Sequence, residues 1–154
     1  PGVRKAAAHA CEFVRHPLMW DALYDRLKND GDDGVRYSAM WALYHHSGPR
    51  AAEAVALGLK DKSERTRRET VDCLCALRDP RSIVPLADAY TSADPRLRSS
   101  ILRAMAHIRS TDAIPTFVTG LGDDDFGVRT TAAVGLGFVG SDPSGRRARR
   151  GSGQ

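Results

Sequence analysis

Apolar positions along this chain recur in blocks with helical spacing. Each block opens on an apolar or β-branched residue followed by an arginine. The pairs are Val3-Arg4, Val35-Arg36, Thr66-Arg67, Leu97-Arg98 and Val128-Arg129, spaced by 32, 31, 31 and 31 residues. Take the residue before the arginine as zero. The positions four, seven, eight and eleven on are Ala39, Ala42, Leu43 and His46 in the second block. They are Thr70, Cys73, Leu74 and Leu77 in the third, Ile101, Ala104, Met105 and Ile108 in the fourth, and Ala132, Gly135, Leu136 and Val139 in the fifth. The first block gives Ala7, Ala10, Cys11 and Val14. Steps of three and four place these residues on one face of an α-helix. Small residues at the seventh step allow close helix approach.

A second stripe follows in four of the blocks. It runs Trp20, Leu23, Tyr24, Leu27; then Ala52, Val55, Ala56, Leu59; then Ile83, Leu86, Ala87, Tyr90; then Ile114, Phe117, Val118, Leu121. Turn signals separate the two stripes: His16-Pro17, Gly48-Pro49, Asp79-Pro80 and Ser110-Thr111-Asp112. Proline suits the first turn of a helix, where its missing N–H is not needed. Acidic or polar loops close each unit, and acids directly before a helix cap its free N–H groups. No alternating period-two run competes with this pattern. A fixed period of this length predicts an array of stacked units. The predicted fold is all-α, a right-handed α-solenoid of about four and a half helical hairpins. It occupies residues 1–140, with units starting near 1, 33, 64, 95 and 126, and a basic, disordered tail at 141–154.

The pattern Asp/Gly-x-Val-Arg-x-x-Ala-x-x-x-Leu, followed by an Ile-x-Pro-Leu type second helix, resembles HEAT-like repeats of the phycobilisome-lyase type. Gly34-Val35-Arg36 through Leu43, Ser82 to Leu86, Ala113-Ile114-Pro115 and Asp125 to Leu136 carry the resemblance. It implies a repeat class rather than an activity. It also implies a structural ladder in which Arg36, Arg67, Arg98 and Arg129 reach acids such as Asp33, Asp61, Asp94 or Asp125 in their own or the adjacent unit. The alternative is a row of phosphate-binding arginines. The ladder is preferred because each arginine comes with nearby acids, leaving little net field.

Charge locates the basic character. Of a net +4, the segment from Ser141 onward holds +3, from four arginines against Asp142, leaving +1 for the repeats. Three cysteines, an odd number, fit a reducing compartment rather than a disulfide framework. No signal peptide or membrane span is visible, so a cytoplasmic protein is expected. The chain opens inside a unit and its fifth unit lacks a second helix, which reads as a fragment or as ends covered by a partner.

Candidate chemistry is sparse. Adjacent His45 and His46 point about 100° apart on a helix, and Cys73 and Cys75 diverge likewise, so no metal or other cofactor is implied. The chain lacks a Gly-x-Ser-x-Gly elbow and a paired-glycine phosphate loop. His46, on a core stripe, reads as a hydrogen-bonded buried histidine. The second helices should line the concave face, with Asp21, Asp25, Lys28, Glu53, Leu57, Lys60 and Asp88 outward. That mixed, slightly acidic surface disfavours duplex binding, leaving weak contact through the arginine tail. The main anomaly lies off the core stripe, where Tyr37, Trp41, Tyr44 and His45 cluster, with His9 and Phe13 at places equivalent to Trp41 and His45. Such a patch reads either as a partner hot spot or as a face packed against a neighbouring segment. The expectation is a non-enzymatic scaffold or adaptor for another protein, with no membrane and no small-molecule substrate. A bilin-lyase-like role or an accessory enzyme subunit is the alternative, and an alkylation-repeat type of nucleic-acid binder comes behind both.

Overall fold

A computed structural model of the chain describes residues 2–10, 17–46 and 50–140, without the side chains at 4, 5, 8, 9, 17 and 18. The expected tail at 141–154, Cys11, Val14, His16 and the Gly48-Pro49 turn lie outside the described residues. The elements are α1 (Gly2–Ala10), α2 (Pro17–Asn29), α3 (Asp33–His45), α4 (Ala51–Ala56), α5 (Glu64–Leu77), α6 (Ile83–Tyr90), α7 (Pro95–Ile108), α8 (Ile114–Leu121) and α9 (Phe126–Gly140). A 3₁₀ turn continues α4 through Leu57–Lys60, and others lead into α6 at Pro80–Ser82 and into α8 at Thr111–Ala113. No strand occurs among the described residues.

The odd-numbered helices form one layer, α1 on α3, α3 on α5, α5 on α7 and α7 on α9. The even-numbered helices form the second, with α2 against α3, α4 between α3 and α5, α6 against α7 and α8 against α9. The architecture is an α-solenoid of helical hairpins.

The recurring dipeptide has a local cause. Side-chain oxygens of Asp32, Ser63, Asp94 and Asp125 accept from the N–H of Val35, Thr66, Leu97 and Val128 at 3.0, 3.5, 3.0 and 3.0 Å. The N–H groups of Arg36, Arg67, Arg98 and Arg129 donate to the carbonyls of those same cap residues. Both groups would otherwise be orphans of the first helical turn. The residue before each arginine then turns its side chain into the core, where all four are buried.

The predicted stripes account for most of that core. Ala39, Ala42, Leu43, Thr70, Cys73, Leu74, Ile101, Ala104, Met105, Ile108, Ala132 and Val139 are all buried. Gly135 at the seventh step lies against Phe117, and a Cβ there would overlap its ring. Gly58 stands in the same relation to the Thr70 hydroxyl. The burial is wider than one stripe, since Met40, Val71 and Leu102 are also fully covered. A solenoid helix has a neighbour on its flank as well as beneath.

Three expectations need correction. Ala7 and Ala10, expected on the core stripe, are exposed on α1, as is Val3. His46 is half-buried at the C-cap of α3 rather than enclosed in the core. In α8 the buried face is Ala113, Thr116, Phe117 and Gly120, while Ile114, Val118 and Leu121 stand 38%, 57% and 42% exposed. A second helix covers its outer side only with the next second helix, and none follows α8 among the described residues.

Candidate functional site

The aromatic group predicted off the core stripe is one cluster on α3. Trp41 lies edge-on to Tyr44 at 5.6 Å between centroids and to Tyr37 at 6.3 Å. The His45 ring stacks on Trp41 at 5.5 Å. Arg65, from the next unit, places its guanidinium 4.3 Å from the Tyr37 ring centroid, within cation–π range. The cluster is less open than the sequence implied. Tyr37, Trp41 and Tyr44 are half-buried against the core and only His45 is exposed. The buried Trp41 Nε1–H finds no acceptor among the described residues. Beside Tyr37 a cleft of about 450 Å³ runs between α1, α3 and α5, lined by Ala6, Gly34, Ser38 and Thr66 among others. The His9 side chain and all of Phe13 lie outside the described residues.

The second-helix residues named from sequence are accessible: Asp21, Lys28, Glu53, Lys60 and Asp88 are exposed, and Asp25 and Leu57 are half-buried. They form no enclosed site. Asp25 accepts from Asn29 and Arg26 at 2.8 and 2.6 Å, bonds that hold its carboxyl below the ordinary range.

The arginine ladder forms in part, and of the acids named from sequence only Asp61 takes part in it. Arg36 Nε and Nη2 donate to Asp61 Oδ2 and Oδ1 at 2.7 and 3.0 Å, a bidentate fork. Arg98 Nη2 donates to Asp123 Oδ1 at 2.9 Å. Its Nε lies 2.8 Å from Oδ2, an oxygen already taken by the Tyr90 hydroxyl at 3.0 Å. Both acids sit 25 residues after their arginine, in the loop closing the arginine's own unit. Among the described residues, Arg67 and Arg129 reach no carboxylate. Arg67 Nη1 donates to the carbonyls of Asp61 and Lys62 at 2.7 and 3.0 Å, and Arg129 Nη1 to those of Asp123 and Asp124, both at 2.8 Å. Asp94 and Asp125 serve as helix caps, and Asp33 opens α3. Tyr90, Arg65 and Asp123 were missed by sequence reasoning. The regular 25-residue offset was the signal that could have found Asp123.

Burial pushes the Asp61 carboxyl up, but hydrogen bonds from Arg36 and the Ser63 N–H outweigh it, and the net shift is downward. Asp123 is lowered first by the Asp125 N–H and then by Arg98 and Tyr90. The Tyr90 phenol is pushed up to about 12 by burial and by its bond to Asp123. Cys73 is also pushed up to about 12 by burial, which keeps it a thiol at neutral pH. Among the described residues no group of three or more His, Cys, Asp or Glu is placed to hold a metal ion, and no helix is long and apolar enough to cross a membrane.

Hairpins stacked in two layers, with capped first helices and arginine clamps between loops, define a helical-repeat protein. The family model for HEAT repeats matches residues 20–102 and 83–147, and the chain belongs to that family. The match is to HEAT repeats in general. The fold is similar to that of human deoxyhypusine hydroxylase, solved with glycerol, with a TM-score of 0.72 and 25% sequence identity. The alignment covers 84% of this chain and 45% of that one, so the chain spans less than half of the hydroxylase. No curated protein sequence matches significantly.

Proposed function

We propose that this chain is a non-enzymatic scaffold that takes up a protein partner on the outer face of α3. The observation that carries this reading is the cluster of Tyr37, Trp41, Tyr44 and His45. The places equivalent to Tyr37 and Trp41 hold Arg68 and Asp72 in the third unit and Ser99 and Arg103 in the fourth, so the aromatic group is not a feature of the repeat itself. Its rings hold one another in place edge-to-face and stacked, so little side-chain entropy remains to be lost on binding.

The test is affinity capture of the partner, followed by titration against two variants. Trp41→Ala is expected to weaken binding by about 2 kcal/mol or more, with some loss of melting temperature because the indole is half-buried. His45→Ala, at the exposed edge, should weaken binding with melting unchanged. Unchanged affinity in both variants would end this reading.

The likeness to a hydroxylase supports a second reading, in which the chain is part of an enzyme or its accessory subunit. Stoichiometric iron or zinc in natively purified protein would favour that over the scaffold.

A further inference from the structure

In the two complete rungs the arginine divides its donors in the same way. Nη1 ties down a carbonyl of the preceding loop, Asp30 for Arg36 and Ala93 for Arg98, at 2.9 and 2.8 Å. The opposite edge, Nε with Nη2, receives the carboxylate 25 residues on. Arg67 keeps the first half of this arrangement through its bonds to Asp61 and Lys62. The residue 25 on from it is Ser92. Its Nε and Nη2 donate to nothing among the described residues, and the side chain is only partly covered.

The unfilled fork is reachable from outside. A cleft of about 390 Å³ opens at this place, lined by Arg67, Ser92, Lys60, Asp88, Asp94 and Leu97 among others. One unit earlier the equivalent cleft, about 450 Å³, contains both Arg36 and the Asp61 that fills its fork. We infer that the Arg67 cleft is a binding site for a single carboxylate, supplied by an acidic side chain of a protein partner. The ligand takes the seat that Asp61 and Asp123 occupy in the flanking rungs.

The lining selects a carboxylate over other anions. Lys60 and Arg67 are balanced by Asp88 and Asp94, so one negative charge is tolerated where a phosphate dianion would face two carboxylates on the rim. A planar two-oxygen group also matches the two-donor edge of a guanidinium. Asp94 lies on the rim of this cleft and caps α7, its Oδ1 accepting from the Leu97 N–H at 3.0 Å, and it forms no ion pair with Arg67. The site rests on the scaffold reading only in that the carboxylate comes from a partner, and it involves none of the α3 aromatics.

The experiment follows the arginine Nε–Hε resonances by NMR while the full chain is titrated with the peptide Ac-Gly-Glu-Gly-NH₂. The glutamine peptide Ac-Gly-Gln-Gly-NH₂ and inorganic phosphate are run in parallel. Arg67 should show a saturable shift with the glutamate peptide, larger than that of exposed Arg68, and none with the glutamine peptide. Ser92→Asp should place Arg67 at its saturated position without ligand, abolish the response and raise the melting temperature. Ser92→Asn should keep the response. An Arg67 shift no larger than that of Arg68, or a response to phosphate at lower concentration than to the glutamate peptide, would overturn the assignment. So would a Ser92→Asp variant that still responds. The titrations on the unsubstituted chain decide the question even if Ser92→Asp does not fold. They use no captured partner, so their outcome is separable from that of the Trp41 and His45 variants.

Discussion

At the scale of single residues, the two kinds of arginine in the ladder should behave differently. The Asp61 side chain is only 4% exposed, and Arg36 is its one cationic fork. Arg36→Ala leaves that carboxylate covered and unpaired, and is expected to cost about 1–3 kcal/mol of stability in denaturant titration. Arg67→Ala strands two loop carbonyls and no acid, so its loss should be smaller. Acid should reveal the same clamp. The carboxyls of Asp61 and Asp123 both sit below the ordinary value of 3.8. In the unfolded chain they take up protons first as pH drops, so their contribution is complete above 3.8 and is lost as pH falls through the folded values. Melting temperatures followed from neutral pH down through the carboxylate range should show Asp61→Asn less stable than the unsubstituted chain at neutral pH, with the gap closing in acid. That arginines and loop acids belong together was legible from their recurrence. Which acid meets which arginine was not, because the answer depends on how the closing loop of each hairpin returns to the start of its first helix. Asp94 and Asp125 were equally plausible partners until their bonds to Leu97 and Val128 placed them as caps.

At the scale of elements, the small residues at the seventh step set how closely the layers approach. Gly135 has the Phe117 ring where its Cβ would be, and Phe117 is itself fully buried. Gly135→Ala should therefore destabilise by about 1–3 kcal/mol through overpacking. Phe117→Leu in the same chain should recover part of that loss, a coupling measured by a double-mutant cycle. The first-helix stripes were readable because period and burial coincide there. The flank residues Met40, Val71 and Leu102 were not, since their partners come from the adjacent unit and leave no local period. The same dependence explains α8, whose outer stripe looks like core in sequence and is exposed in the fold. For the aromatic group on α3, register gave the face correctly. The extent of cover on Tyr37, Trp41 and Tyr44 depended on neighbours such as Arg65, which local spacing does not reveal.

At the scale of the molecule, each unit touches only those beside it, so stability is a sum of unit and seam contributions rather than of one central core. The period was enough to announce that architecture. It gave no indication that the rungs differ. Where Asp61 or Asp123 meets its arginine, the guanidinium ties the loop before its helix to the loop that closes its unit through a charged bond. Between α5 and the loop that holds Ser92 no such charged bond forms. If the solenoid is regarded as a spring, the Arg36 and Arg98 rungs are braced by a charge pair and the Arg67 rung is not, so its stiffness is uneven along the described residues. A carboxylate arriving there would act as a splint, bracing the Arg67 rung as Asp61 and Asp123 brace theirs.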